Sequence, residues 1–174
     1  LLEFMTDIHP IRNEREAEDF IARIKLLDEL IENLLAWLEQ QREAGIFAPE
    51  FVYDHVIRQL KEMLAYQDQH PLRQVFKDKT TEIGLAPKVI SELSDDLDQA
   101  IDEHLNVGYG GLLNYLEETY DQANQHDGVW SLPSGDAYYQ LRLRASTTTD
   151  YSPEAIHQLG LSEVERITAR MRVI

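Results

Sequence analysis

Apolar residues recur along most of this chain at intervals of three and four, the spacing that places them on one face of an α-helix. Phe20, Ile24, Leu27, Ile31, Leu34, Leu35 and Leu38 form the first such run. Asn13, with Glu16 three residues later, supplies a capping pair ahead of it. Gly45 is a natural stop, so the pattern predicts a helix of roughly 30 residues. Pro49 opens a second helix with Phe51, Val52, Val56, Leu60, Met63 and Leu64 on one side. The short connection between the two predicts an antiparallel helical hairpin.

His70-Pro71 ends the second helix, because a residue before proline is pushed out of helical geometry. A short amphipathic piece runs from Leu72 to Thr81, and Gly84 and Pro87 reset the chain. From Lys88 to Gln125 the helical spacing returns at Val89, Ile90, Leu93, Leu97, Ile101, Leu105, Leu112, Leu113 and Leu116. Gly108, Gly110 and Gly111 lie inside that run, and a glycine costs about 1 kcal/mol in a helix interior. The cluster therefore predicts a kink, a break or a tight helix crossing there.

His126 to Gly135 reads as a loop, and Asp136 to Ala145 as a short helix. Thr147-Thr148-Thr149 is poor helix material and reads as extended or loop. Ser152-Pro153 starts another short helix that Gly160 ends, and Ser162 with Glu165 caps the last one. No strand pair and no internal repeat stands out. The predicted fold class is all-α: a long helical hairpin, a long kinked helix and several short helices. The chain reads as a single helical segment, with possible sub-units at 1–70 (hairpin), 71–126 (long acidic helix) and 127–174 (loop and short helices).

With 174 residues, 43% of them hydrophobic, the chain can build a core of its own. Charge narrows the partners. The formal net charge is -16, and from Ser91 to Gly128 there are ten acids and no Lys or Arg. Residues 134–174 hold five of each sign. Such a surface repels phosphate backbones and anionic lipids, so neither nucleic acid nor an anionic membrane is an expected partner. No stretch approaches the ~20 apolar residues of a membrane span. The opening lacks an initiator Met and a leader pattern, and Ile167 to Ile174 runs on in a helical pattern without a stop signal. Both ends are expected to be cuts in a longer chain. The absence of Cys leaves the compartment open between cytoplasm and periplasm or exterior.

Hydrolytic motifs are missing. None of His9, His55, His70, His104, His126 and His157 has another His three or four residues away, so no His-Glu-x-x-His pair forms. Glu154 and His157 make one Glu-x-x-His spacing, where a di-iron bundle needs two. Gly-x-Ser-x-Gly and a phosphate-binding loop are absent, and Gly108-Tyr109-Gly110 lacks the third glycine of a dinucleotide loop. No catalytic residue and no metal ligand is assigned. One constellation does carry polar chemistry: Tyr138 and Tyr139 follow the loop, and Arg142 and Arg144 come after them. On a helix Tyr138 and Arg142 share a face. Hydroxyl and guanidinium groups are usual donors to a carboxylate or carbonyl, which makes Tyr138, Tyr139 and Arg142 candidate contacts for a peptide. The alternative buries the tyrosine rings and ties the arginines to the abundant acids.

At this loop the sequence also resembles a family. The run from Asp127 to Tyr139 is similar to the Gly-x-x-x-Leu-Pro-x-Gly-x-x-Tyr-Tyr signature of the bacterial family known as domain of unknown function 885. Leu141 to Thr149 continues the resemblance, as does Ser152 to Val164 with Ile156-His157-Gln158-Leu159-Gly160-Leu161. Glu18 to Gly45, Pro49 and Val56 to Leu60 match the family's two-helix opening more loosely. The resemblance is specific from Gly128 to Arg170 and weak between Leu72 and Gln125. It implies zinc-dependent peptidases with a larger helical body, whose His-Glu-x-x-His helix lies downstream of the Leu-Gly-Leu passage. No position here matches that motif, so zinc is implied for the longer protein only. The segment is then expected to be a non-catalytic scaffold beside a substrate channel, with the rest of its own polypeptide as partner. A self-standing helical interaction module is the alternative.

Overall fold

A computed structural model describes residues 2–172, with the side chain of Asp68 left aside; the last two positions of the final helical pattern, and Leu1, lie outside the described residues. The described residues are helical throughout, joined by turns, and hold no strand beyond an isolated bridge between Pro49 and Asn124. The all-α expectation is met. Contacts divide the chain into two compact units, Leu1–Gln125 and His126–Ile174.

In the first unit, α1 (Glu14–Lys25) opens as its sequence predicts. The Glu16 amide donates to Asn13 Oδ1 at 3.0 Å, and the Glu16 carboxylate accepts the Arg12 amide at 2.9 Å. The predicted single long helix is instead two, because Leu26 separates α1 from α2 (Leu27–Glu43). The reason lies in what each half packs on. α1 lies against α5 (Pro87–Ala100), and α2 lies against α6 (Asn106–Thr119). α5 and α6 are themselves joined by a π-helical turn, Ile101–Leu105, which touches both α1 and α2. The two breaks therefore stand opposite each other. Pro49 caps α3 (Glu50–Leu64), which packs on α6.

Of the outcomes expected at Gly108–Gly111, the kink or break does not occur there and the tight helix crossing does. α6 runs through all three glycines, and the change of helical register comes one turn earlier, at Ile101–Leu105. Gly108 explains why a helix-weakening residue sits mid-helix. It is buried against α2, where a methyl group in its place would lie 3.3 Å from Ile31 Cγ1 and 3.4 Å from Asp28 Cα. Tertiary packing outweighs the propensity cost. Gly110 faces open space and has no such reason.

α4 (Pro71–Glu82) lies on α5 and α1. Arg73 ties it to α5 through Asp98 at 2.6 Å. Lys79 reaches the carbonyl oxygens of Met5 and His9 at 3.3 and 2.7 Å, fastening the N-terminal π-helical turn Phe4–Ile8. Phe20, Ile21, Ile24, Leu72, Phe76, Leu97 and Ile101 fill the centre, each fully buried. Burying such a side chain contributes about 1.5–3 kcal/mol, so this cluster is the main stabiliser of the unit.

Two histidines share that interior. The His9 ring stacks edge-on against Phe4 and Phe20, and its Nδ1 donates to the Pro10 carbonyl at 2.9 Å. His70 caps α4 by accepting the Leu72 amide at Nδ1, 3.3 Å away. The Nε2 atoms of both are buried without a hydrogen-bond partner. Burial pushes both pKa values below the ordinary histidine range. At His9 the bond to the Pro10 carbonyl and the Asp19 charge oppose this, while Arg23 and Lys79 add to it; at His70 the Arg73 charge adds to it.

In the second unit α7 is Gly135–Thr147 and α8 is Pro153–Met171. The helix expected to end at Ala145 continues into the threonines, and Thr148 closes it in the left-handed region with φ 56°. The two short helices expected around Gly160 are one. Ser162 Oγ donates back to the Leu159 carbonyl at 2.8 Å and so caps nothing, whereas Ser152 Oγ accepts the Ala155 amide and caps the whole helix.

Two outcomes follow. Gly110→Ala should raise stability by up to about 1 kcal/mol, since only helix propensity changes. Gly108→Leu should lower it by about 1–3 kcal/mol through overpacking against α2; urea unfolding of both variants separates the two cases. Acidification should also unfold the first unit in a defined window. The unfolded chain takes up protons at both histidines below about pH 6.5, where the folded chain does not, so stability falls as pH drops through that value. His70→Asn keeps the cap and removes one titrating group, so its stability should fall less steeply between pH 6.5 and 5; equal slopes for both proteins would contradict this.

Candidate functional site

The candidate contacts are displayed by one tight turn and the helix after it. From Gly128 the chain makes a single 3₁₀ turn, Val129–Ser131, closed by the Ser131 amide and hydroxyl donating to the Gly128 carbonyl at 3.1 and 2.7 Å. The Gly135 amide then donates to the Leu132 carbonyl at 3.0 Å. Ser134, at φ 57°, is left-handed and turns the chain into α7. Gly135 is obligatory, because a side chain there would run into the Val129 carbonyl. At Gly128 a side chain would meet only the Trp130 ring, which is exposed and can turn away. The second glycine of the Gly-x-x-x-Leu-Pro-x-Gly spacing is thus a packing requirement of the turn.

On α7, Tyr138 and Arg142 stand one helical turn apart, and Tyr139 follows beside them. Tyr138 is 47% and Tyr139 45% exposed, and Arg142 is exposed as well. The rings are not core side chains. Arg144 is held by Asp150 at 2.9 Å, and no such ion pair engages Arg142 among the described residues. Leu141, one turn from Tyr138, is exposed too, and at the turn Trp130 is 73% exposed. α8 buries no residue at all; Ile156, Val164, Ile167 and Met171 form an apolar stripe along it. Arrayed donors beside exposed rings can bind an extended polar chain.

The first unit holds polar clusters that sequence spacing does not announce. The Tyr120 hydroxyl faces two carboxylates of α3, Asp54 at 2.8 Å and Glu50 at 3.1 Å. The hydrogen bond to Asp54, with burial and Glu50 next, pushes that phenol far above its ordinary pKa. Glu50 and Asp54 are four apart, a hint in the sequence, but Tyr120 lies outside that helix. His104, in the π-turn, bonds Asp28 Oδ2 at 2.7 Å, and this bond holds the Asp28 carboxyl below the usual carboxylate range. No group of three His, Asp or Glu residues stands together in a metal-binding arrangement among the described residues. No described helix is long and apolar enough to cross a membrane.

The family described as "Bacterial protein of unknown function (DUF885)" matches residues 1–174. No curated protein matches the sequence. Among solved structures, the chain is similar to "The crystal structure of the putative lipoprotein from Colwellia psychrerythraea", with a TM-score of 0.88 at 26% identity. The match covers 96% of this chain and 29% of that one, so the chain spans under a third of the length of its structural relative.

The turn yields a direct test. Gly135→Ala should lower the stability of the second unit by about 2 kcal/mol or more, because a backbone carbonyl cannot step aside as a side chain can. Trp130 fluorescence in a Trp37→Phe background, followed through urea unfolding, reads the change.

Proposed function

The chain belongs to the DUF885 family of bacterial proteins, and from that premise we propose that it is a non-catalytic helical segment of a larger zinc-dependent peptidase. Its role is scaffold, with α7 forming part of the wall along which a peptide substrate lies. The observation that carries this reading is the outward apolar and donor-bearing face of α7 and α8, on a chain whose match covers 29% of its structural relative. The peptidase activity rests on the resemblance of the Gly128 to Arg170 run alone. The described residues do not fit a zinc site, so the metal and the general base would belong to other parts of the polypeptide.

In this reading Tyr138, Tyr139 and Arg142 hydrogen-bond the substrate's carbonyl or carboxylate groups. Local charge favours the placement: residues 1–125 carry 26 acids against 11 Lys and Arg, and residues 126–174 carry 6 against 5. A peptide carboxylate is repelled least near this helix. A self-standing interaction module would use the same exposed face for a partner protein and would leave peptide hydrolysis untouched.

The test uses the longer protein and a peptide it hydrolyses. Tyr138→Phe, Tyr139→Phe and Arg142→Lys are compared with the parent at matched thermal stability. Loss of a charge-assisted hydrogen bond to substrate costs roughly 1.5–3 kcal/mol, so kcat/KM should fall at least tenfold for the residues that make contact. Parent-like kcat/KM in all three variants would leave α7 as scaffold only.

A further inference from the structure

The first unit contains an apolar pocket that the reading above does not use. α2, α3 and α6 leave a space of about 210 Å³ between them, walled by Leu34, Leu38, Val52, Val56, Leu112 and Leu116. The loop at Ile46–Ala48 lines its rim. That loop is pinned, because the Asn124 amide donates to the Ala48 carbonyl at 2.9 Å and the Glu50 amide to the Asn124 carbonyl at 3.0 Å. The pocket is therefore built by backbone hydrogen bonds at its rim and by helix packing along its sides.

Its polar groups decide what charge it accepts. Arg42 and Gln41 also line it. Arg42 is paired with Glu39 at 3.1 Å, which neutralises it, and the unit around it is strongly acidic. A carboxylate ligand would meet net repulsion. The rest of the lining is apolar, with the rings of Phe47, Tyr53 and Tyr115 beside the aliphatic side chains, and an ammonium group would lose its hydration against it. What remains is a neutral apolar group. Size narrows it further. A dry apolar cavity of about 150 Å³ takes a benzene ring, so one of 210 Å³ suits the next ring system up.

We propose that this pocket binds a neutral aromatic group about the size of indole, either as a free ring or as a large aromatic side chain of a peptide. The site lies wholly within the first unit and stands or falls independently of the α7 reading.

The experiment is an amide-shift titration of the 174-residue chain, read by NMR, with indole, N-acetyl-tryptophanamide and indole-3-acetate. Indole should give saturable shifts confined to Leu34, Leu38, Val56, Leu112 and their neighbours, and indole-3-acetate should bind at least tenfold more weakly. Indole binding alone assigns the site to a free ring; binding of N-acetyl-tryptophanamide as well assigns it to a residue side chain. Val56→Phe, which fills the pocket, should abolish the shifts. Ala48→Phe, an exposed position at the rim, blocks the entrance without touching the core and should do the same. The proposal is overturned if no saturable shift appears, if the shifts persist in Ala48→Phe, or if the charged and neutral rings bind equally.

Discussion

The close approach of α6 to α2 at Gly108 is the constraint on which the first unit depends. A Cβ at that point would lie 3.4 Å from the Asp28 Cα and 3.5 Å from the Leu27 carbonyl oxygen, so the two helices pass closely with no side chain between them. That fixes the rotation of α6, and with it the burial of Tyr109, Leu112 and Leu116 on one side. One turn earlier the same rotation brings His104 onto Asp28, a bond that clamps the π-turn to the start of α2. Leu112 and Leu116 go on to form a wall of the aromatic-sized pocket, and Thr119 receives the Tyr53 hydroxyl at 3.5 Å. A single glycine thus sets both the packing of the unit and the shape of its one apolar recess among those lined by α2, α3 and α6.

Much of this was legible in the sequence, and the failures have physical causes. The helical face Phe20, Ile24, Leu27, Ile31, the cap at Asn13, the stop at Gly45 and the amphipathic piece from Leu72 to Thr81 all depend on local chemistry, and each stands where the spacing puts it. The breaks were misplaced because they are tertiary. Leu26 is no helix breaker, yet α1 and α2 part there to follow different partners. Three glycines weaken a helix in isolation, yet Gly108 is the residue that lets α6 pack. Ser162 with Glu165 has the form of a cap but lies inside a helix already begun at Ser152. Of the candidate site, the helical register of Tyr138 and Arg142 was readable, and their exposure was not, because alternation alone cannot say which face another element covers. The Tyr120 cluster and the apolar pocket join residues some 70 positions apart, and no local spacing reports such pairs.

The two units differ in what stabilises them. The first buries whole aromatic and aliphatic side chains and adds ion pairs such as Arg73–Asp98 and Lys25–Asp96, both at 2.6 Å. The second is organised by the turn at Gly128–Gly135, by the Ser152 cap and by the Arg144–Asp150 pair, with no fully buried large side chain among the described residues. Local geometry of this kind orders a turn but contributes little hydrophobic stabilisation. The apolar stripe of α8 and the rings of α7 lie exposed on that unit.

Native-state amide hydrogen exchange of the 174-residue chain tests that division most directly. The account predicts slow exchange, close to the global unfolding limit, for α6 amides around Gly108 to Leu116, and fast exchange with little protection along α8. Protection in α8 equal to that in α6 would contradict it, because a helix with no buried residue would then be drawing stability from a core that these contacts do not contain.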